Sequence, residues 1–149
     1  MVISPAPFFV EYRFYVDNVG GELKMVPVKP DFSLDLGAIA ETITSRTKAV
    51  LINSPNNPTG MVYDQASIKS LATLLEDKSR ALGHEIYLIS DEPYREIVYD
   101  GAAPPSILAS YANSLIASSY SKSLSLPGER LGFIAMNPAI ADHDTVMSG

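Results

Sequence analysis

The sequence predicts an α/β fold built on a mostly parallel sheet with helices on both faces. Three observations predict it. Short apolar runs of strand length recur along the chain, segments with helical apolar spacing alternate with them, and several of the runs end abruptly in polar clusters. The chain has 149 residues, 46% of them hydrophobic, enough for one domain with a sizeable core.

Residues 22–28 (ELKMVPV) read as a strand, and residues 34–43 then place Leu36, Ile39, Ala40 and Ile43 on one helical face. Residues 49–53 (AVLIN) form a continuous apolar run of the kind that a buried parallel strand shows. The stretch SPNNPTG follows at 54–60, with no good helix or strand former and two prolines. Beyond it Asp64 can cap a helix on which Ile68, Leu71, Ala72, Leu75 and Leu82 recur at helical spacing, and Gly83 supplies the stop. Residues 85–90, 114–119 and 131–136 read as further strands. Alternating strands and helices of these lengths make βα units, and their right-handed crossovers give a mostly parallel sheet. No internal repeat or linker-like stretch interrupts the pattern.

Composition narrows the function classes. The net charge of −6 works against binding phosphate backbones, so nucleic acid is not an expected partner. Without cysteine there is no disulfide framework or thiolate metal site, and His84 and His143 are too far apart in sequence for a local ligand pair. The start, MVISPAPFFV, lacks a basic n-region, and no apolar run approaches the roughly 20 residues needed to span a bilayer. A cytoplasmic protein without membrane contact is the expectation.

In open α/β sheets ligands bind outside the carboxyl ends of the strands. There AVLIN runs into SPNNPTG, EIYLIS into DEPY, and SLIASS into YSKSLSLPGER. Parallel neighbours would bring Asn57, Asp91, Tyr94, Ser119 and Lys122 to one rim. Neither a Walker loop nor a G-x-G-x-x-G fingerprint is present, which argues against a nucleotide.

NSPNNPTG (53–60), SDEPYREIVYDG (90–101) and SYSKSLSLPGERLG (119–132) together resemble the class I/II aminotransferases of the pyridoxal phosphate fold-type I superfamily. A lone S-x-S-K is weak, but the three in this order are specific and cover the chain from about Pro5 onward. The resemblance implies pyridoxal 5′-phosphate as cofactor, amino-acid and 2-oxo-acid substrates, and a homodimer in the full-length protein. Lys122 matches the Schiff-base lysine, whose neutral amine bonds the cofactor and later moves the substrate's α-proton. Asp91 matches the carboxylate that keeps the pyridine nitrogen protonated. Tyr94 and Asn57 match the pair that hydrogen-bonds the ring oxygen. Arg130 and Ser119 match phosphate ligands, the guanidinium being suited to a bidentate grip. Phe9 falls where the family stacks an aromatic ring on the pyridine.

Taken singly, each residue has a plainer reading. Lys122 would be a solvated lysine in a serine-rich loop, Asp91 a turn residue, Tyr94 a half-buried ring, and Arg130 a surface cation; only spacing and company promote them. Full-length members of the family are more than twice as long. The resemblance therefore implies an internal part of the large domain, without the N-terminal segment that supplies a Gly-rich phosphate loop and without the small C-terminal domain. Such a part is expected to be inactive by itself, to retain pyridoxal phosphate weakly or not at all, and to expose an edge at 131–136 that invites self-association or leaves the chain after Met136 disordered. A C–S lyase or decarboxylase of the same fold, or the aminotransferase-like effector domain of a transcription regulator, are the alternatives. The resemblance also leads one to expect a cis Asn57–Pro58 bond, with Asn57 facing the carboxyl ends of the strands; before proline the cis form costs only about 0.5–1 kcal/mol.

Overall fold

The computed structural model describes residues 1–148. Six strands form one sheet: β1 (Val2–Ala6), β2 (Leu23–Pro27), β3 (Ala49–Asn53), β4 (Tyr87–Asp91), β5 (Ser114–Ser119) and β6 (Gly132–Met136). They lie in the order β2-β1-β3-β4-β5-β6. All neighbours are parallel except β5 and β6, which run antiparallel.

Two crossover helices, one short and one long, cover one face. In α2 (Leu36–Thr42) the Asp35 side chain caps Ala38 N, and Ile39 is wholly buried. In α3 (Gln65–Leu82) the Asp64 carboxylate accepts from Ser67 N at 2.7 Å, satisfying a free amide of the first turn. Gly83 then ends the helix in the left-handed conformation at φ 71°. The stripe Ile68, Leu71, Ala72 and Leu75 packs on Ile3, Val50, Ile52 and Leu88 of the sheet, which makes this layer the core. Complete burial of Leu71 or Leu75 contributes about 1.5–3 kcal/mol each.

The opposite face carries α1 (Tyr12–Asp17), whose Arg13 guanidinium donates to the Met25 sulfur of β2. Between α1 and β5 that face stays open. Neither β1 nor α1 figures in the helix and strand pattern read from the sequence. β1 is a five-residue strand containing a proline, and α1 has only six residues, too short to show a full apolar stripe.

At the other end of the chain, α4 (Tyr120–Ser123) and a 3-10 turn (Pro127–Glu129) connect β5 to β6. Gly132 opens β6 where an added Cβ would stand 2.6 Å from the Ser118 carbonyl oxygen, so only glycine lets β6 pair this closely with β5. β6 forms the sheet's edge, with Ile134 71% exposed. After Met136 the chain makes a turn and a short helix, α5 (His143–Ser148), where the sequence reading allowed disorder. No helix among the described residues is long and apolar enough to cross a membrane.

Candidate active site

Strand register assembles the site. Asn53 at the end of β3 pairs with Asp91 at the end of β4, Asp91 with Ala117 of β5, and Ser119 with Gly132 of β6. These carboxyl ends open into a cleft of about 530 Å³ on the side of the sheet away from α2 and α3. All seven residues singled out in the sequence line this cleft: Phe9, Asn57, Asp91, Tyr94, Ser119, Lys122 and Arg130.

The loop after β3 presents Asn57. Asn53 Oδ1 accepts from Asn57 N at 2.6 Å, and Asn53 Nδ2 donates to the Asp91 carbonyl at 2.7 Å, so one buried amide ties the loop to the neighbouring strand. Asn56 Oδ1 receives Thr59 N and Thr59 Oγ1, while Asn56 N and Gly60 N close the turn through backbone bonds. Ser54–Pro55 and Asn57–Pro58 are both cis. The expected Asn57–Pro58 geometry is therefore present, and rigidity comes as much from the Asn53 and Asn56 amides as from proline. With its backbone fixed, Asn57 points Nδ2 toward the Tyr94 hydroxyl at 3.4 Å.

Tyr94 sits on a turn held from below. Arg95 pairs with the buried Glu92 carboxylate at 2.7 Å and donates to the Pro104 carbonyl at 2.7 Å, clamping the 93–105 loop against the sheet. Ser118 Oγ donates to the Glu92 carbonyl and secures the same turn to β5.

Asp91 is the floor of the cleft. Burial pushes its carboxyl above the ordinary carboxylate range, and a hydrogen bond from Tyr12 opposes that rise. Tyr12 is 4% exposed, and its hydroxyl donates to Asp91 Oδ2 at 2.5 Å. Burial and the adjacent carboxylate push the phenol well above its usual value, so it remains a donor at every physiological pH. Its ring meets Phe9 edge-on at 5.7 Å and stacks on Phe8 at 6.0 Å, which fixes the wall that Phe9 presents.

Lys122 and Arg130 complete the cleft from the β5–β6 connection. Both are exposed, and among the described residues neither forms an ion pair. Arg130 adopts the left-handed region at φ 52°, uncommon for a residue with a side chain, and donates to the Pro127 carbonyl at 3.2 Å. Sequence reasoning missed Tyr12 and Asn53. Tyr12 stands three residues after Phe9, one helical turn on, and Asn53 is the polar residue that ends an apolar strand; both signals were present.

The fold and this cleft define a sheet-end site of the aminotransferase type. A family model described as "Aminotransferase class I and II" matches residues 1–149, and the chain belongs to that family. It is 34% identical over 136 residues to a probable aspartate aminotransferase of Methanocaldococcus jannaschii, covering 91% of this chain and 34% of that one. It is 38% identical over 135 residues to a probable aspartate/prephenate aminotransferase of Thermus aquaticus, covering 89% and 33%. Among solved structures, an amino transferase from Eubacterium rectale superposes with a TM-score of 0.96 at 46% identity, covering 99% of this chain and 37% of that one. The aspartate aminotransferase of Thermus thermophilus with maleate gives 0.82 at 32% identity, covering 99% and 38%. The chain thus spans about a third of the length of the relatives it matches.

Proposed function

We propose that the full-length protein is a pyridoxal phosphate-dependent aminotransferase that moves an amino group from an amino acid to a 2-oxo acid and works as a homodimer. The observation that carries this reading is the convergence of an amine, a guanidinium, a floor carboxylate and an amide–phenol pair in one cleft of about 530 Å³. The donor set fits the cofactor group by group: Arg130 and Ser119 suit a phosphate, Asp91 a protonated ring nitrogen, Asn57 and Tyr94 a ring oxygen, Phe9 a ring face, and Lys122 an aldehyde. Asp91 adds a fit of its own. Its carboxyl, raised by burial, lacks a cation partner among the described residues, and a protonated ring nitrogen would supply one.

When bound, pyridoxal phosphate supplies the aldehyde that takes up the amino group and the ring that withdraws electrons from the donor's α-carbon. The chain's own residues do the rest. Tyr12 holds the Asp91 carboxyl and Asn53 the Asp91 backbone carbonyl, so that the carboxyl's position at the floor is fixed before any ligand arrives. Asn57 and Tyr94 bring an amide N–H and a phenol to the same rim, where both can hydrogen-bond an anionic oxygen. Arg130, held by the Pro127 carbonyl, faces dianionic groups with a planar fork. Lys122 Nζ stands in the same cleft, where it is the group that would take the donor's α-proton.

The relatives are named for aspartate, for aspartate/prephenate or for aromatic amino acids, so their names do not carry a donor class to this chain. The test is incubation of the full-length protein with pyridoxal phosphate, 2-oxoglutarate and a panel of amino acids. Formation of glutamate in step with the matching 2-oxo acid supports transfer. Release of ammonia from a donor with no 2-oxo acid present would instead support a lyase.

A further inference from the structure

Between β4 and a 3-10 turn at Ile107–Ala109 the chain passes through residues 92–106 as turns and loop, and Tyr94 stands near the start of that segment. Its hydroxyl contributes little to its placement, since Asn57 Nδ2 lies at 3.4 Å, beyond the ordinary range of an N–H···O bond. The turn beneath it is held more tightly. Glu92 N donates to the Ala117 carbonyl at 2.8 Å, and the Glu92 carbonyl accepts from Ser118 Oγ at 3.1 Å and from Arg95 N at 3.2 Å. The Glu92 carboxylate is 2% exposed and pairs with Arg95 Nη1 at 2.7 Å. Arg95 Nη2 donates to the Pro104 carbonyl at 2.7 Å, so a single guanidinium joins the start of the segment to its end.

A carboxylate taken out of water is costly unless it is paired, and exchanging such a pair for apolar side chains is often neutral or stabilising. Stability alone therefore does not account for an ion pair at this place. Position does. Tyr94 lies between Glu92 and Arg95 in the chain, so the two members of the pair bracket the residue that lines the cleft. One nitrogen of the planar fork faces Glu92 and the other Pro104, two directions that an ammonium on a flexible stem does not fix together.

We propose that Arg95, with Glu92, is a positioning residue for the Tyr94 phenol, and that through it the pair sets the pH at which the bound cofactor loses its proton. This inference rests on the aminotransferase reading and deepens it. A phenol that donates to the cofactor's ring oxygen draws negative charge from it and so weakens the cofactor's hold on its proton. Misplacing the phenol weakens that bond steeply, because hydrogen bonds fade beyond about 3.2 Å and below about 120°. The proton is then kept to higher pH.

The experiment titrates the full-length, cofactor-loaded protein with base and reads the midpoint of the change in visible absorbance. Tyr94→Phe removes the phenol and should raise the midpoint by about one to two pH units, the worth of one hydrogen bond to a charged group. Arg95→Lys keeps a cation beside Glu92 but not the fork, and should raise the midpoint by a large part of that amount. Added to Tyr94→Phe, Arg95→Lys should change nothing further, because the phenol it positions is gone. Glu92→Gln, which keeps an acceptor of the same size, should move the midpoint in the same direction by less, and it carries the test if Arg95→Lys does not fold. A midpoint unmoved by Tyr94→Phe, one that neither Arg95→Lys nor Glu92→Gln moves, or an Arg95→Lys shift that persists undiminished without the phenol overturns the proposal. Failure of the wild type to take up pyridoxal phosphate overturns the functional reading beneath it, and the absorbance before titration separates that outcome from the others.

Discussion

Replacing Tyr12 by Phe removes one oxygen from a buried ring and leaves the packing against Phe8 and Phe9 in place. The lost interaction is a hydrogen bond to an ionised carboxylate, worth about 1.5–3 kcal/mol. With a urea dependence of about 2 kcal/mol per molar, the unfolding midpoint should fall by roughly 1 M at pH 7. The pH dependence identifies the cause. Asp91's carboxyl already titrates above its ordinary value of 3.8 in the fold, because burial outweighs the Tyr12 hydrogen bond. A raised acid pKa means that this group's contribution favours the fold at low pH and is lost as pH rises through the folded value. Removing the hydroxyl raises that value further. The variant's deficit is therefore full above its own, higher folded value for Asp91 and shrinks as pH falls through that value and on through the wild-type one. Urea titrations of the two chains by far-UV circular dichroism, at pH 7 and at successively lower pH, measure both effects. An unchanged midpoint at pH 7, or a deficit that does not shrink on acidification, would refute the assignment of Tyr12 as the group that holds Asp91 charged.

Two further outcomes follow from the same geometry. Asp91→Asn keeps an acceptor for Tyr12 and removes the buried charge, so it should raise the chain's urea midpoint at pH 7 while weakening retention of pyridoxal phosphate by the full-length protein; a lowered midpoint with unchanged retention would contradict the placement of a functional charge there. The chain itself should self-associate through the β6 edge, where Ile134 is 71% exposed, and Ile134→Lys should reduce the apparent mass in sedimentation velocity; a wild-type chain that sediments as a monomer at high concentration would contradict this.

Much of the fold was legible because the core elements are periodic over enough residues. The stripe from Ile68 to Leu75, with Asp64 before it and Gly83 after it, left one reading, and the observed α3 has that cap, that stop and that buried face. The parallel order of β3 and β4 followed from the helix between them, whereas β4 and β5, also parallel, are joined by a loop with only a 3-10 turn at Ile107–Ala109; together the three strands bring Asn57, Asp91, Tyr94, Ser119 and Lys122 to one rim. The N-terminal part was less legible. β1 and α1 are too short for either period to show, so the contacts that depend on α1 were hidden: the Tyr12 bond to Asp91 spans 79 positions, and no local pattern encodes such a distance. The same holds for Asn53, whose two hydrogen bonds tie a loop to the neighbouring strand and emerge only once strand register is known.

The central claim is that Lys122 carries the cofactor, and it can be tested directly on the full-length protein. After reconstitution with pyridoxal phosphate, borohydride reduction and proteolysis, the pyridoxyl label should sit on the peptide containing Lys122, and Lys122→Ala should abolish both the label and the visible absorbance. A label found instead on Lys24 or Lys29, or one retained by Lys122→Ala, would contradict the account.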